Sequence, residues 1–174
     1  MYKCKKIISK NNIYSNNIFE INKYKLLLNG ETKKIDIVKH NGSVSVLAID
    51  KDHLIMVKQY RASIEKDILE VPAGTIEKNE QPEECAIREL EEETGYKSRN
   101  MTHMFSYYSS IGYSTELIRC YVASKLHKTN TQIDCKITNV QKIKFNAIMK
   151  MIKNKEITDS KTICAVLFYN QFYN

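Results

Sequence analysis

Between Gly74 and Tyr96 the chain reads GTIEKNEQPEECAIRELEEETGY, and it carries Glu80, Arg88, Glu89, Glu92 and Glu93 at spacings that one helix would gather. Residues four apart stand one above the other on a helix, so Glu89 and Glu93 are neighbours, as are Arg88 and Glu92. Like charges at that spacing weaken an isolated helix by roughly a few tenths of a kcal/mol, so something should compensate. A hard divalent cation would. Mg²⁺ takes oxygen ligands, keeps several waters and sits between carboxylates and substrate phosphates. Arg88 offers a second positive charge that pairs with a neighbouring carboxylate and fixes its rotamer. The ordinary reading of a glutamate run is a solvated face. Such a face, however, requires neither the glycine at each end of this segment nor Arg88 and Glu80 at their set intervals.

The helix that must carry these groups has legible ends. Pro82 suits a first helical position, Glu83 and Glu84 favour the positive end of the helix dipole, and Gly95 can take the left-handed conformation just past the end. The pattern predicts a helix from about Pro82 to about Thr94, with Ala86, Ile87 and Leu90 on an apolar stripe and Glu89, Glu92 and Glu93 on a separate face. Alternating or apolar-rich stretches predict strands over 35–40, 43–49 and 53–59, the last two around a turn at Asp50, Lys51 and Asp52. Further strands are expected over 104–108, 117–123 and 136–143. Phe145, Ile148, Met149 and Ile152 then mark one amphipathic helix, and Ile163, Val166, Leu167 and Asn170 another that starts after Asp159 or Ser160. Strands flanked by such helices make a layered α/β domain.

Composition bounds the function without choosing it. A chain of 174 residues is one domain of ordinary size, able to bury about 70% of its unfolded surface. The formal net charge is +7, which helps anionic ligands approach. The lysines are scattered among Asn and Ile, so the reading is no nucleic-acid partner. Cys4, Cys85, Cys120, Cys135 and Cys164 form no CxxC pair, which argues against a zinc site or a disulfide framework and for reduced thiols. The basic start MYKCKKIISKNN lacks a signal-peptide core, and no apolar run is long enough to span a membrane. The expectation is a cytoplasmic protein without a membrane partner. No Walker-type loop supports a kinase or an ATP-driven motor.

The segment resembles the Nudix box, G-x5-E-x7-R-E-U-x-E-E-x-G-U with U a bulky apolar residue, and only Tyr96 departs mildly from it. Gln59-Tyr60-Arg61, Leu69-Glu70-Val71-Pro72-Ala73-Gly74, His40-Asn41-Gly42 and Asp159-Ser160-Lys161-Thr162 are similar to the ADP-ribose (ADP-sugar) pyrophosphatase branch of that family, so the likeness runs from about residue 28 to about residue 168. The resemblance implies an α/β/α sandwich with a mixed sheet, residues 1–174 forming a single Nudix hydrolase domain. Its first 42 residues would be an N-terminal strand arm that serves homodimerisation. It implies Mg²⁺, with Mn²⁺ as the alternative, held by the Ala73 backbone carbonyl, Glu89, Glu92 and Glu93. Catalysis would fall to Glu92 or Glu93, with Arg88 in support.

The implied reaction is hydrolysis of the pyrophosphate bond of ADP-ribose or a related nucleoside diphosphate sugar, giving AMP and a sugar phosphate. Arg61 would bind a phosphate or carboxylate-like oxygen, with a surface ion pair as the competing reading. Glu70 would accept a hydrogen bond from base or ribose, unless it is a charge at a strand edge. Ser109 to Glu116 resembles the loop that embraces the terminal ribose, which makes Gly112 and Glu116 candidate substrate contacts. Tyr107 and Tyr108 read as packing residues, and Tyr113 as either packing or stacking.

Two positions depart from the branch. Ile111 stands where proline is usual, which alters the backbone constraint on the sugar loop. Lys136, in Ile133-Asp134-Cys135-Lys136-Ile137, stands where many members carry a glutamate that binds metal or orients water. An ammonium has no lone pair and cannot take that role. Asp134 or a box glutamate would then act as base, or turnover would be slow. Two other functions stay open: a nucleoside triphosphate pyrophosphohydrolase, and a weakly catalytic nucleotide-sugar sensor.

Overall fold

The structure, a computed structural model, describes residues 6–173, so Cys4 lies outside the described residues. Two compact units are present, Met1–Gly42 with Tyr107–Leu117, and Ser43–Ser106 with Ile118–Asn174.

The first unit is built on an antiparallel sheet of β1 (Lys6–Ser15), β2 (Phe19–Leu28) and β3 (Glu31–His40). Strands β2 and β3 pair without a register shift from Phe19 opposite His40 to Leu28 opposite Glu31. The connection is only Asn29-Gly30, both at positive φ (53° and 86°), as a tight two-residue hairpin demands. Every residue of β1 is exposed, including Ile7, Ile8, Ile13 and Tyr14. The Tyr107–Leu117 segment is tied to β3: the Val38 N–H donates to the Tyr113 carbonyl at 2.7 Å, and the Thr115 N–H donates to the Val38 carbonyl at 2.9 Å.

The second unit centres on β4 (Ser43–Asp50) and β5 (His53–Arg61), followed by β6 (Lys66–Glu70), β7 (Ala73–Thr75), α1 (Pro82–Thr94), β8 (Tyr96–Tyr108), β9 (Leu117–Lys128), β10 (Ile137–Lys144), α2 (Phe145–Lys153) and α3 (Ser160–Phe172). The strand order is β10-β5-β4-β9-β8, with β6 on β5 and β7 on β4. The sheet is mixed, since β4 runs parallel to β9 but antiparallel to β5 and β7. Val44, Val46, Leu47 and Ala48 make β4 a nearly continuous buried run, as expected of a strand covered on both faces. Cys85, Ala86 and Leu90 of α1 pack onto Val44, Val46 and Ala48. Burial stabilises by about 1.5–3 kcal/mol for each large side chain. Helix α3 also contacts β4, and its Phe168 stacks on Phe105 with ring centroids 4.2 Å apart.

The expected α1 boundaries and the order of strands and helices match what is observed. Strands β6 and β7 and the first half of β8 were not anticipated, and β1 and β2 were expected only through the strand arm that the resemblance implied, not from the residue pattern. The start of β8, Tyr96 to Arg99, is half-buried to exposed and carries no apolar alternation. Among the described residues, no helix is long and apolar enough to cross a membrane, and Cys85, Cys120, Cys135 and Cys164 are free thiols.

Candidate active site

Helix α1 brings its glutamates to the sheet with unequal burial. Glu89 is 5% and Glu93 1% exposed, whereas the Glu92 side chain is 45% exposed. The apolar stripe and the acidic face are therefore not separate: Glu89 and Glu93 lie buried beside Ala86 and Leu90, and Ile87 is only half-buried. Gly74 makes this arrangement possible. A Cβ at Gly74 would lie 1.9 Å from the Glu89 carboxyl, so the missing side chain is the space that this carboxylate fills.

Arg88 organises three carboxylates at once. Its Nε and Nη2 donate to the two oxygens of Glu80 at 2.7 and 3.0 Å. Its Nη1 donates to Glu89 Oε1 at 2.8 Å and to Glu92 Oε2 at 3.0 Å. The forked pair with Arg88 holds Glu80 down to about 2, while burial pushes Glu89 upward against the same guanidinium. A carboxyl whose folded pKa lies below its unfolded value adds stability that is present above about 4.5 and lost as pH falls toward 2. Urea unfolding should accordingly show wild type more stable than E80Q by roughly 2–3 kcal/mol at pH 6, with the gap narrowing to about 1 kcal/mol or less by pH 2.5.

Glu93 Oε2 accepts the Ala73 N–H at 3.0 Å, and Lys136 Nζ lies 3.2 Å from Glu93 Oε1. Burial pushes Glu93 up to about 7 despite the pull of the Ala73 N–H and of Lys136. The Lys136 loop is suspended from the end of α1, because the Asp134 N–H donates to the Glu92 carbonyl at 2.9 Å. Lys136 Nζ also lies 3.3 Å from Asp134 Oδ2.

These residues suit a hard cation by two observations. Glu89 Oε2 is buried and has no hydrogen-bond partner, and the Gly74 backbone lies against the same carboxyl with nothing between them. A partnerless buried carboxylate oxygen is costly unless a cation reaches it. Among the described residues, no three carboxylate, imidazole or thiol groups already converge on one point. Arg88 and Lys136 bridge the carboxylates instead.

Arg61 and Glu70 find each other. Nε and Nη2 of Arg61 donate to Glu70 Oε1 and Oε2, each at 2.7 Å. Glu70, 1% exposed, also accepts from Lys161, which reaches Asp159 at 2.8 Å. Asp159 caps α3 by accepting the Thr162 N–H at 2.9 Å, and Thr162 Oγ1 in turn accepts the Val71 N–H at 2.9 Å. The start of α3 thereby pins the Val71-Pro72 link between β6 and β7. The sequence marked Asp159 or Ser160 as the start of this helix and the Asp159–Thr162 segment by its likeness to the branch; the contacts of Lys161 and Thr162 with Glu70 and Val71 were not anticipated. Removing one partner of a buried ion pair costs about 3 kcal/mol, so E70Q should lower the melting temperature by roughly 6–12 °C in a thermal melt.

Gly112 and Glu116 belong to the other unit, where Ser109 Oγ donates to Glu116 Oε2 at 2.6 Å and His40 Nε2 lies 4.0 Å from Glu116 Oε1. Ile111, at the position where the branch carries proline, is 78% exposed.

A family model described as NUDIX domain matches residues 39–166. The chain belongs to the Nudix family. It is 36% identical over 168 residues to the ADP-ribose pyrophosphatase of Bacillus subtilis, covering 94% of this chain and 91% of that relative. It is 41% identical over 146 residues to the methanol dehydrogenase activator of Bacillus methanolicus, covering 82% of this chain and 79% of the relative. A solved structure described as an ADP compounds hydrolase superposes with a TM-score of 0.87 at 18% identity, over 99% of this chain and 95% of that one. The expected Nudix α/β/α architecture with a mixed sheet is therefore the fold of this chain.

Proposed function

We propose that this Nudix protein hydrolyses the pyrophosphate bond of ADP-ribose or a related nucleoside diphosphate sugar with Mg²⁺, releasing AMP and a sugar phosphate. The observation that carries the reading is the pair of buried carboxylates, Glu89 and Glu93, packed on the Ala73-Gly74 backbone with Glu89 Oε2 partnerless. The name of the Bacillus subtilis relative supports the substrate class. Glu89, Glu93, Glu92 and the Ala73 carbonyl would hold the ion. When bound, a divalent cation offsets the charge of the diphosphate and eases ionisation of water.

The chain's own residues do the rest. Arg88 fixes the rotamers of Glu89 and Glu92 by donating to both, which is positioning paid in advance of the reaction. Glu92, exposed at the outer edge of the cluster, or Glu93 takes the proton from the attacking water. Arg61 keeps the role of oxygen ligand for the substrate, and Glu70 sets the orientation of its guanidinium. The substrate-binding proposal for Gly112 and Glu116 rests on the sequence resemblance alone.

Product analysis over a panel of ADP-ribose, other nucleoside diphosphate sugars, dinucleotides and nucleoside triphosphates tests the reading. AMP and ribose phosphate from ADP-ribose are the expected products. Turnover confined to triphosphates would favour the pyrophosphohydrolase alternative. Tight binding without turnover would favour a sensor, which the Lys136–Glu93 contact makes the second reading.

The protein is proposed to be cytoplasmic, consistent with its free thiols, and to be a single Nudix domain whose N-terminal arm joins two copies. Strand β1 exposes Ile7, Ile8, Ile13 and Tyr14, an apolar set that a second copy would cover. Size-exclusion chromatography with light scattering should give twice the chain mass of 20.3 kDa, and a clean monomer would remove the arm's proposed role.

A further inference from the structure

Lys136, like Arg88, brings to the carboxylate cluster a positive charge that cannot ligate a metal, and its placement is specific. Its ammonium lies 3.2 Å from Glu93 Oε1 and 3.3 Å from Asp134 Oδ2. The loop that carries it is closed on both sides: the Asp134 N–H donates to the Glu92 carbonyl at 2.9 Å, the Ile137 N–H to the Asp134 carbonyl at 2.9 Å, and the Lys136 N–H to Asp134 Oδ1 at 3.0 Å. The other oxygen of Glu93 is taken by the Ala73 N–H at 3.0 Å. Both lone-pair-bearing atoms of Glu93 are thus engaged within the chain, whereas Glu89 has an oxygen left over.

We infer that Lys136 is a tethered cation of the active site, holding Glu93 in place of one divalent ion, so that metal must displace it to reach Glu93. The inference rests on the metal reading given above and deepens it. Two positive groups share the cluster. Arg88 neutralises Glu80, Glu89 and Glu92 from one side, and Lys136 neutralises Glu93 and Asp134 from the other. A primary ammonium and a divalent ion cannot both sit within contact of Glu93 Oε1 without strong repulsion in a poorly solvated site. An ammonium on a flexible four-carbon stem is a point charge that can swing aside. The consequence is weaker metal binding than the donor set would otherwise give, with the Glu89 side of the cluster filling first. At low metal the resting protein would hold the lysine on Glu93, and a bound diphosphate would draw that ammonium outward.

The test is direct counting of bound Mn²⁺, by the loss of the free-ion EPR signal, in wild type, K136M and K136R, with folding of each checked by circular dichroism. K136M should bind Mn²⁺ at least tenfold more tightly than wild type or take up one ion more per chain, and K136R, which keeps the cation, should match wild type. Equal affinity and equal stoichiometry in wild type and K136M, both binding Mn²⁺, would overturn the inference and leave the metal reading intact. Absence of Mn²⁺ binding in all three would overturn the metal reading and the inference together. Should K136M fail to fold, K136Q carries the same expectation.

Discussion

An E93Q variant should lose on the order of a thousandfold in kcat/KM on the best substrate of the panel while its melting temperature stays at or above that of wild type. The activity side follows from charge. Glu93 is the most buried of the carboxylates proposed to hold the ion, and removing one preorganised electrostatic contact at a reacting centre typically costs about a hundred- to a thousandfold. A glutamine keeps the shape and can still accept the Ala73 N–H, but it cannot offset a divalent charge. The stability side follows from burial, which already pushes Glu93 up to about 7. A carboxyl that the protein interior disfavours as an anion is replaced by a neutral amide at little cost, and Lys136 retains Asp134 at 3.3 Å. Steady-state kinetics beside a thermal melt would check both sides. Unchanged turnover in a folded variant would sink the assignment of Glu93, and a collapsed melting temperature would show that its role is structural.

Sequence and structure agree most closely where local chemistry acts alone. Pro82 and Gly95 bound α1 because each satisfies its own backbone requirement: Pro82 has no N–H to lose, and Gly95 sits at φ 70° with its N–H on the Glu91 carbonyl. The spacing of Arg88 from Glu92 likewise foretold a real contact, since a helix brings side chains four apart together whatever surrounds it. Burial of Glu89 and Glu93 was not legible, because it depends on how the backbone of β7 folds back so that Gly74 meets α1, which helical spacing alone does not show. An ion pair was the competing reading for Arg61, but its reinforcement by Lys161 lay hidden, because Lys161 reaches Glu70 across 91 residues of chain. In the N-terminal sheet the Asn29-Gly30 hairpin was readable in principle, yet Lys23, Lys25, Lys33 and Lys34 blur the alternation on which strand recognition rests. Lys136 was flagged as a departure, but its partner was not, since nothing in Ile133 to Ile137 points to Glu93.

The approach of Gly74 to Glu89 makes the smallest substitution in the site a severe one, and G74A should cost at least a hundredfold in kcat/KM together with roughly 3–10 °C in melting temperature. A Cβ there would lie 1.9 Å from both Cδ and Oε1 of Glu89 and 2.4 Å from Oε2, distances no side chain tolerates. The carboxylate has little freedom to yield, because Arg88 holds Oε1 at 2.8 Å and the residue is buried. Overpacking of this kind costs about 1–3 kcal/mol, and displacing a reacting group by about 1 Å costs on the order of a hundredfold in rate. The double variant G74A/E89A separates the two effects. Shortening Glu89 removes the clash, so the double variant should melt above G74A alone, a non-additivity expected only of groups in direct contact. Its activity should stay low because the carboxylate is gone. If instead G74A/E89A melts below G74A, the contact between Gly74 and Glu89 is not what limits this position.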